Sequence, residues 1–191
     1  MKIGIDVSQL AYPNTGVANY LQNLVQTLVK IDKKNEYTLF FASLRKEFLI
    51  SNFKFLNNNP RVKIKKFRLP PTLMDILWNK LHILPIENFI GPVDIFITSD
   101  WTEPPAKKAK KATILYDLIV YKYPEETHNK TSFNPLKLLI SPNIVASQKR
   151  KLQWAKKESS MFFCISEATK KDAVQILGIP EKNLAVINAG I

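Results

Sequence analysis

The sequence predicts a doubly wound α/β domain: a mostly parallel, Rossmann-like sheet of about seven strands with helices on both faces. Three observations carry that expectation. Apolar blocks of strand type alternate with helical segments along the whole chain. Most of these blocks are continuous apolar runs, as in a sheet covered on both sides. The chain also opens as strand, loop and helix over residues 1–31, the first unit of such a fold.

In that unit Ile3, Ile5 and Val7 form the strand block. Val17, Tyr20, Leu21, Leu24, Val25, Leu28 and Val29 then recur at helical spacing up to Ile31. A polar turn through Asn14, Thr15 and Gly16 joins them. The first N–H groups of the helix have no helical carbonyl to pair with, and the positive end of its dipole lies there, so the loop suits an anion such as phosphate. Gly16 has two readings. Without a Cβ it admits a ligand close to the backbone, and it equally makes a tight turn before a packed helix.

Residues 37–42 are the second strand block, 44–55 are expected to be helical, and Asn57, Asn58, Asn59 and Pro60 make a turn. Val62, Ile64 and Phe67 give a third strand, whose intervening lysines face solvent or mark an edge. Pro70 and Pro71 break it. Leu73, Ile76, Leu77, Leu81 and Leu84 form a helical face, with Trp78 near it as a core residue. Gly91-Pro92 precedes the buried block 93–98, and 99–105 is a loop holding Trp101. The basic cluster Lys107, Lys108, Lys110 and Lys111 leads into strand 112–116, which ends at Asp117. Residues 118–134 have little periodicity and read as a long functional loop. Residues 135–159 are largely helical, with Pro142 at the first turn of the main helix. Residues 161–165 are a strand, Ser166 caps the next helix, and Gly178 with Pro180 ends it. Residues 184–187 are the last strand.

At 191 residues and 46% hydrophobic content the chain suits one globular domain with a sizeable core. No apolar run reaches the roughly 18 residues that span a bilayer. Asp6 and Gln9 interrupt any signal-peptide core, which fits a cytoplasmic protein and discounts the glycosylation triplet at Asn129. The single cysteine, Cys164, excludes an internal disulfide framework and lies in an apolar, core-forming run. The net charge of +12 points to an anionic partner, namely nucleic acid, a membrane surface or a phosphorylated substrate, or else to a solubilising surface.

In doubly wound sheets ligands bind outside the carboxyl ends of the strands. That rule selects the loops after residues 7, 98, 116 and 165. The first offers Thr15, Gly16 and Asn19. The second offers Ser99, Asp100, Trp101 and Glu103. The third offers Tyr116, Asp117, Tyr121, Tyr123, Glu125 and His128, and the fourth Ser166 and Glu167. Carboxylates, hydroxyls and rings together suit a sugar. No D-x-D pair, no H-E-x-x-H and only two histidines are present, so no metal is expected. Of the histidines, His82 lies among helix residues and reads as structural.

Four segments, in order, resemble the N-terminal half of a GT-B glycosyltransferase of the large retaining family 4, or group 1. They are Ile3-Gly4-Ile5-Asp6 with Thr15-Gly16-Val17-Ala18-Asn19-Tyr20; Asp100-Trp101 through Pro104-Pro105; Ile114-Leu115-Tyr116-Asp117-Leu118 with Tyr123-Pro124-Glu125; and Phe163 through Asp172 with Gly178-Ile179-Pro180 and Val186 through Ile191. The resemblance implies that residues 1–191 are the acceptor-side domain. The C-terminal domain that binds the nucleotide-sugar is absent from this sequence and is expected to begin just after Ile191. The implied function is transfer of a sugar from a nucleotide-sugar donor to a glycan or lipid-linked glycan in cell-envelope polysaccharide synthesis, with this half inactive alone. No cofactor, metal or protein nucleophile is implied.

Carried over residue by residue, Gly16 and Thr15 meet the donor phosphates. Tyr116 and Asp117 act at the reacting hydroxyls, and Asn19, Trp101, Glu103 and His128 line the acceptor. Tyr116 stands where the family usually has histidine; a tyrosine donates a hydrogen bond but carries no proton near pH 7. Lys149, Arg150, Lys151 and Trp154 share one helical segment. That segment reads either as a face lying on an anionic bilayer, on the inner side of the cytoplasmic membrane, or as a solvated face. A nucleic-acid-binding module and a nucleotide-binding regulator are the alternatives. Against the former, no helix-turn-helix, RRM or zinc pattern is present.

Overall fold

The computed structural model describes residues 1–47, 59–127 and 144–188. The helix expected over 44–55 falls mostly outside these residues, as do His128, Pro142 and the last three residues of the chain. The seven strands are β1 (Lys2–Asp6), β2 (Glu36–Ala42), β3 (Val62–Phe67), β4 (Ile95–Thr98), β5 (Lys110–Leu115), β6 (Ser159–Cys164) and β7 (Leu184–Val186). They form one sheet in the order β3-β2-β1-β4-β5-β6-β7, and every pair is parallel. The chain winds outward in both directions from β1 and β4, so the fold is Rossmann-like and its topological switch point lies between them.

The helices are α1 (Gly16–Ile31), α2 (Pro71–Met74), α3 (Glu87–Ile90), α4 (Ile119–Lys122), α5 (Ile144–Glu158) and α6 (Glu167–Leu177). They cover both faces, which is why the central strand blocks are mostly apolar. Tyr37, Leu39 and Phe41 of β2 pack with Leu21, Val25 and Val29 of α1, whereas Phe40 and Ala42 pack with Trp78, Ile86 and Ile90 on the other side. The same split recurs farther along: Ile114 belongs to the α1 layer, while Leu115, Phe162 and Cys164 pack with Leu152 of α5 and Ala173 and Leu177 of α6.

Caps follow the sequence signals. Ser166 Oγ accepts from the Thr169 N–H at 3.1 Å, and Gly178 ends α6 with a left-handed φ of 63°. Three details differ from expectation. The helix expected over 73–84 passes from α2 into a π-helical turn, Asp75–Lys80, and stops there. Beyond it His82 and Leu84 take positive φ, and the Trp78 indole donates to the Leu84 carbonyl at 3.0 Å, so the chain folds back under the tryptophan. The long loop holds a helical turn, α4, and a 3-10 turn at Pro124–Thr127. Strand β5 starts two residues earlier than read, because the Lys110 N–H bonds the Asp94 carbonyl at 2.9 Å and Lys111 is buried.

Gly4 is required by packing. A Cβ there would lie 2.7 Å from a Phe96 ring carbon and 2.8 Å from Ile90 Cδ1. The edge strand β3 exposes Lys63 and Lys65, which assigns part of the positive charge to guarding an unpaired sheet edge.

Candidate active site

Strand β1 delivers the chain to the carboxyl rim at Asp6, and a 3-10 turn, Ser8–Ala11, carries it to the N-terminus of α1. Thr15 is the N-cap: its Oγ1 accepts from the Ala18 N–H at 3.2 Å and its carbonyl from the Asn19 N–H at 2.9 Å. The Gly16 and Val17 N–H groups have no intrahelical acceptor. The left-handed residue of this turn is Asn14, φ 70°, and a Cβ on Gly16 would meet nothing within 4 Å. Neither turn geometry nor packing therefore calls for glycine at position 16, which leaves open space above the helix end.

A cavity of about 440 Å³ opens at the carboxyl ends of β1 and β2; Tyr12, whose carbonyl accepts from the Thr15 hydroxyl at 3.0 Å, is one of its lining residues. Its floor holds two buried carboxylates, Asp6 and Asp75, 4% and 5% exposed. Asp6 Oδ1 accepts from the Ser8 N–H at 2.9 Å, and burial pushes its carboxyl up to about 6. Asp75 Oδ1 accepts from Asn79 Nδ2 at 2.9 Å and from the Ser147 hydroxyl. Asp75 Oδ2 is buried without a hydrogen bond among the described residues, with Arg150 Nη2 at 3.7 Å and Lys80 Nζ at 4.0 Å. At the mouth the exposed rings of Tyr12 and Trp101 stack at 6.2 Å. Carboxylates and aromatic rings in one cavity are the groups that suit a sugar.

A second, smaller cavity of about 160 Å³ lies between the end of β5 and α5, lined by Asp100, Tyr116, Asp117, Gln148 and Lys151. The buried Tyr116 hydroxyl is 3.1 Å from Ser99 Oγ, and its ring meets Tyr20 edge-on. Burial holds its hydroxyl well above the ordinary tyrosine range, so Tyr116 serves as a hydrogen-bonding group with a fixed proton. Asp117 is exposed and caps α4, its Oδ1 accepting from the Ile119 N–H at 3.1 Å.

The structure thus brings Trp101 to the larger cavity and Tyr116 and Asp117 to the smaller one, with Thr15 and Gly16 at the end of α1. Asn19 is exposed on α1 and lines neither cavity. Glu103, read as an acceptor contact, is instead wholly buried. Its Oε1 is 2.7 Å from Lys111 Nζ, its Oε2 accepts from Thr98 Oγ1 at 2.8 Å, and its own N–H donates to Asn79 Oδ1. Lys111 also pairs with Glu158 at 2.8 Å, and Glu158 with His82 Nε2 at 2.6 Å.

The four residues read as a membrane face do not share one side of α5, because successive helix positions are turned by about 100°. Lys149 lies over the Tyr121 ring, Arg150 reaches Asp75, Lys151 is interior, and Trp154 stacks on His82 at 3.7 Å. Sequence reasoning missed Asp6, Asp75 and Tyr12. Asp6 carries a signal, a carboxylate ending an apolar strand, whereas Asp75 becomes visible only once Asn79 and Ser147 surround it.

Neither a protein-family model nor a curated protein sequence matches the chain. Solved structures match its fold. One is UGT2 of Phytolacca americana, complexed with UDP-2-fluoroglucose and pterostilbene, at a TM-score of 0.51 and 10% sequence identity. The match covers 100% of this chain and 52% of that one, so this chain spans about half the length of the structure it resembles.

Proposed function

We propose that this chain is the acceptor-facing half of a retaining glycosyltransferase, of the group 1 kind, which moves a sugar from a nucleotide-sugar to a glycan or lipid-linked glycan. The product belongs to cell-envelope polysaccharide, made on the cytoplasmic side of the membrane. The observation that carries this reading is the carboxyl rim. There the turn that joins Tyr12 to Thr15 links a helix N-terminus open at Gly16 to a cavity lined by buried carboxylates and exposed aromatic rings. The fold likeness to a chain that holds a UDP-sugar analogue supports it.

In this reading the donor lies mainly on a second domain, and its diphosphate touches the Gly16 and Val17 N–H groups. Those fixed dipoles stabilise charge gathering on the leaving phosphate. The ring faces of Tyr12 and Trp101 hold the acceptor. Tyr116 donates a hydrogen bond near the reacting centre and Asp117 accepts from a hydroxyl. The step as described uses these groups alone and calls for no cofactor or metal.

The test is Gly16→Val in the full-length protein, with release of nucleoside diphosphate from a panel of nucleotide-sugars as readout. The added side chain enters open space, so stability should change by no more than about 0.5 kcal/mol. Transfer should be lost. Turnover equal to the parent's would remove the phosphate role from this loop. The positive charge favours a second reading, nucleic-acid binding, and the two separate cleanly. Salt-dependent binding to random-sequence DNA supports the nucleic-acid module. Binding to anionic vesicles but not to DNA supports a membrane-presented acceptor.

A further inference from the structure

Lys151 lies on the inward side of α5 and is 2% exposed, yet it makes no hydrogen bond or ion pair among the described residues. The side chain is enclosed while its ammonium, without a hydrogen-bond acceptor among the described residues, faces a cavity, and proteins seldom bury a lysine in a purely structural place. Burial draws its pKa down, while the fields of Glu103, Asp100 and Asp6 support the charged form. Two of these carboxylates are engaged elsewhere: Glu103 with Lys111, and Asp6 with the Ser8 N–H. Lys151 faces the cavity of about 160 Å³ whose other polar walls are Asp100, Tyr116, Asp117 and Gln148.

That wall has a charge balance. Two carboxylates stand against one ammonium, so a phosphate or carboxylate ligand would be repelled on balance. A neutral ligand that both accepts from the ammonium and donates to a carboxylate fits every group present. The volume is well below the roughly 300 Å³ at which whole-ligand pockets begin, so the cavity admits one edge of a ring.

We propose that Lys151 is a sugar-binding residue whose ammonium donates to one oxygen of a neutral vicinal diol, while Asp100 or Asp117 accepts from the neighbouring hydroxyl. The proposal rests on the reading of this rim as a sugar-transfer crevice. It gives the enclosed ammonium a hydrogen-bond acceptor, which the described residues do not.

The experiment follows the Lys151 side-chain nitrogen by NMR in the ¹⁵N-lysine-labelled chain, with the resonance assigned by Lys151→Met. The probes are the methyl pyranosides of glucose, galactose and mannose, and inorganic phosphate. At least one pyranoside should shift the resonance saturably, and phosphate should not. Lys151→Met should bind that pyranoside at least tenfold more weakly.

A shift with phosphate alone, or with none of the probes, overturns the proposal. So does a Met variant that binds the pyranoside as the parent does. In the full-length protein, Lys151→Met that transfers sugar at the parental rate sinks this site and leaves the function standing. A parent that shifts with pyranoside but transfers no sugar sinks the function and leaves the site.

Discussion

Lys111→Met is expected to lower folding stability by about 3–5 kcal/mol at neutral pH. Lys111 is 3% exposed and sits between Glu103 Oε1 at 2.7 Å and Glu158 Oε2 at 2.8 Å. Glu158 is half-buried, keeps its contact with His82 and can turn toward water. Glu103 has no such escape. It is 0% exposed, and its remaining contacts are the hydroxyls of Thr98 and Thr113. Removing the ammonium strips an interior carboxylate of its one ion-pair partner among the described residues and leaves it only the more distant field of Lys151, and that loss sets the magnitude. The double variant Lys111→Met with Glu103→Gln should recover most of the loss, since the amide still serves Thr98 and carries no charge. Urea unfolding of the parent, both single variants and the double variant closes the cycle. A single variant within about 1 kcal/mol of the parent would mean that the pair is solvated and the buried network inconsequential.

Asp6→Asn is expected to act in the opposite direction, stabilising the fold at pH 7 by up to about 3 kcal/mol. Burial dominates the environment of Asp6, opposed by the Ser8 hydrogen bonds and the field of Lys151, and it raises the carboxyl from the ordinary 3.8 to about 6. A carboxyl raised on folding binds its proton more tightly in the native state. Its contribution is therefore fully present below pH 3.8 and is lost as pH climbs to about 6. Asparagine keeps the oxygen that accepts from the Ser8 N–H and never ionises. Stability curves of parent and variant should coincide near pH 4 and separate toward pH 7. Curves that stay parallel across this range would show that Asp6 ionises in the fold as freely as in the unfolded chain. Because Asp6 floors the larger cavity, the same variant in the full-length protein should transfer sugar more slowly, a stability gain set against function.

Much of the fold was legible in the sequence because its signals are local or periodic. The run 37–42 is apolar apart from Thr38, and Tyr37, Leu39 and Phe41 do face one helix layer while Phe40 and Ala42 face the other. Thr15 and Ser166 cap the helices that follow them, since a capping hydroxyl needs only the next three residues. What stayed hidden depends on partners distant in the chain. A lysine or glutamate reads as surface by default. Lys111 and Glu103 are interior because the loop after β4 brings Glu103 against Lys111 of β5, and α5 brings Glu158 against the same lysine, 47 residues beyond it. Lys151 differs from Lys149 by two positions on a helix, and that rotation alone decides which of them is inside. Gly4 gave no warning either, because the ring that fills the space above it lies on β4.

The placement of Trp101 makes the protein its own optical reporter. Of its three tryptophans, Trp78 is sealed in the core and Trp154 is sandwiched against His82, whereas Trp101 stands exposed at the mouth of the larger cavity beside Tyr12. A molecule settling on those two rings alters the emission of Trp101 and leaves Trp78 as an internal standard. Occupancy can thus be read as a ratio from unlabelled protein, before the identity of the sugar is known.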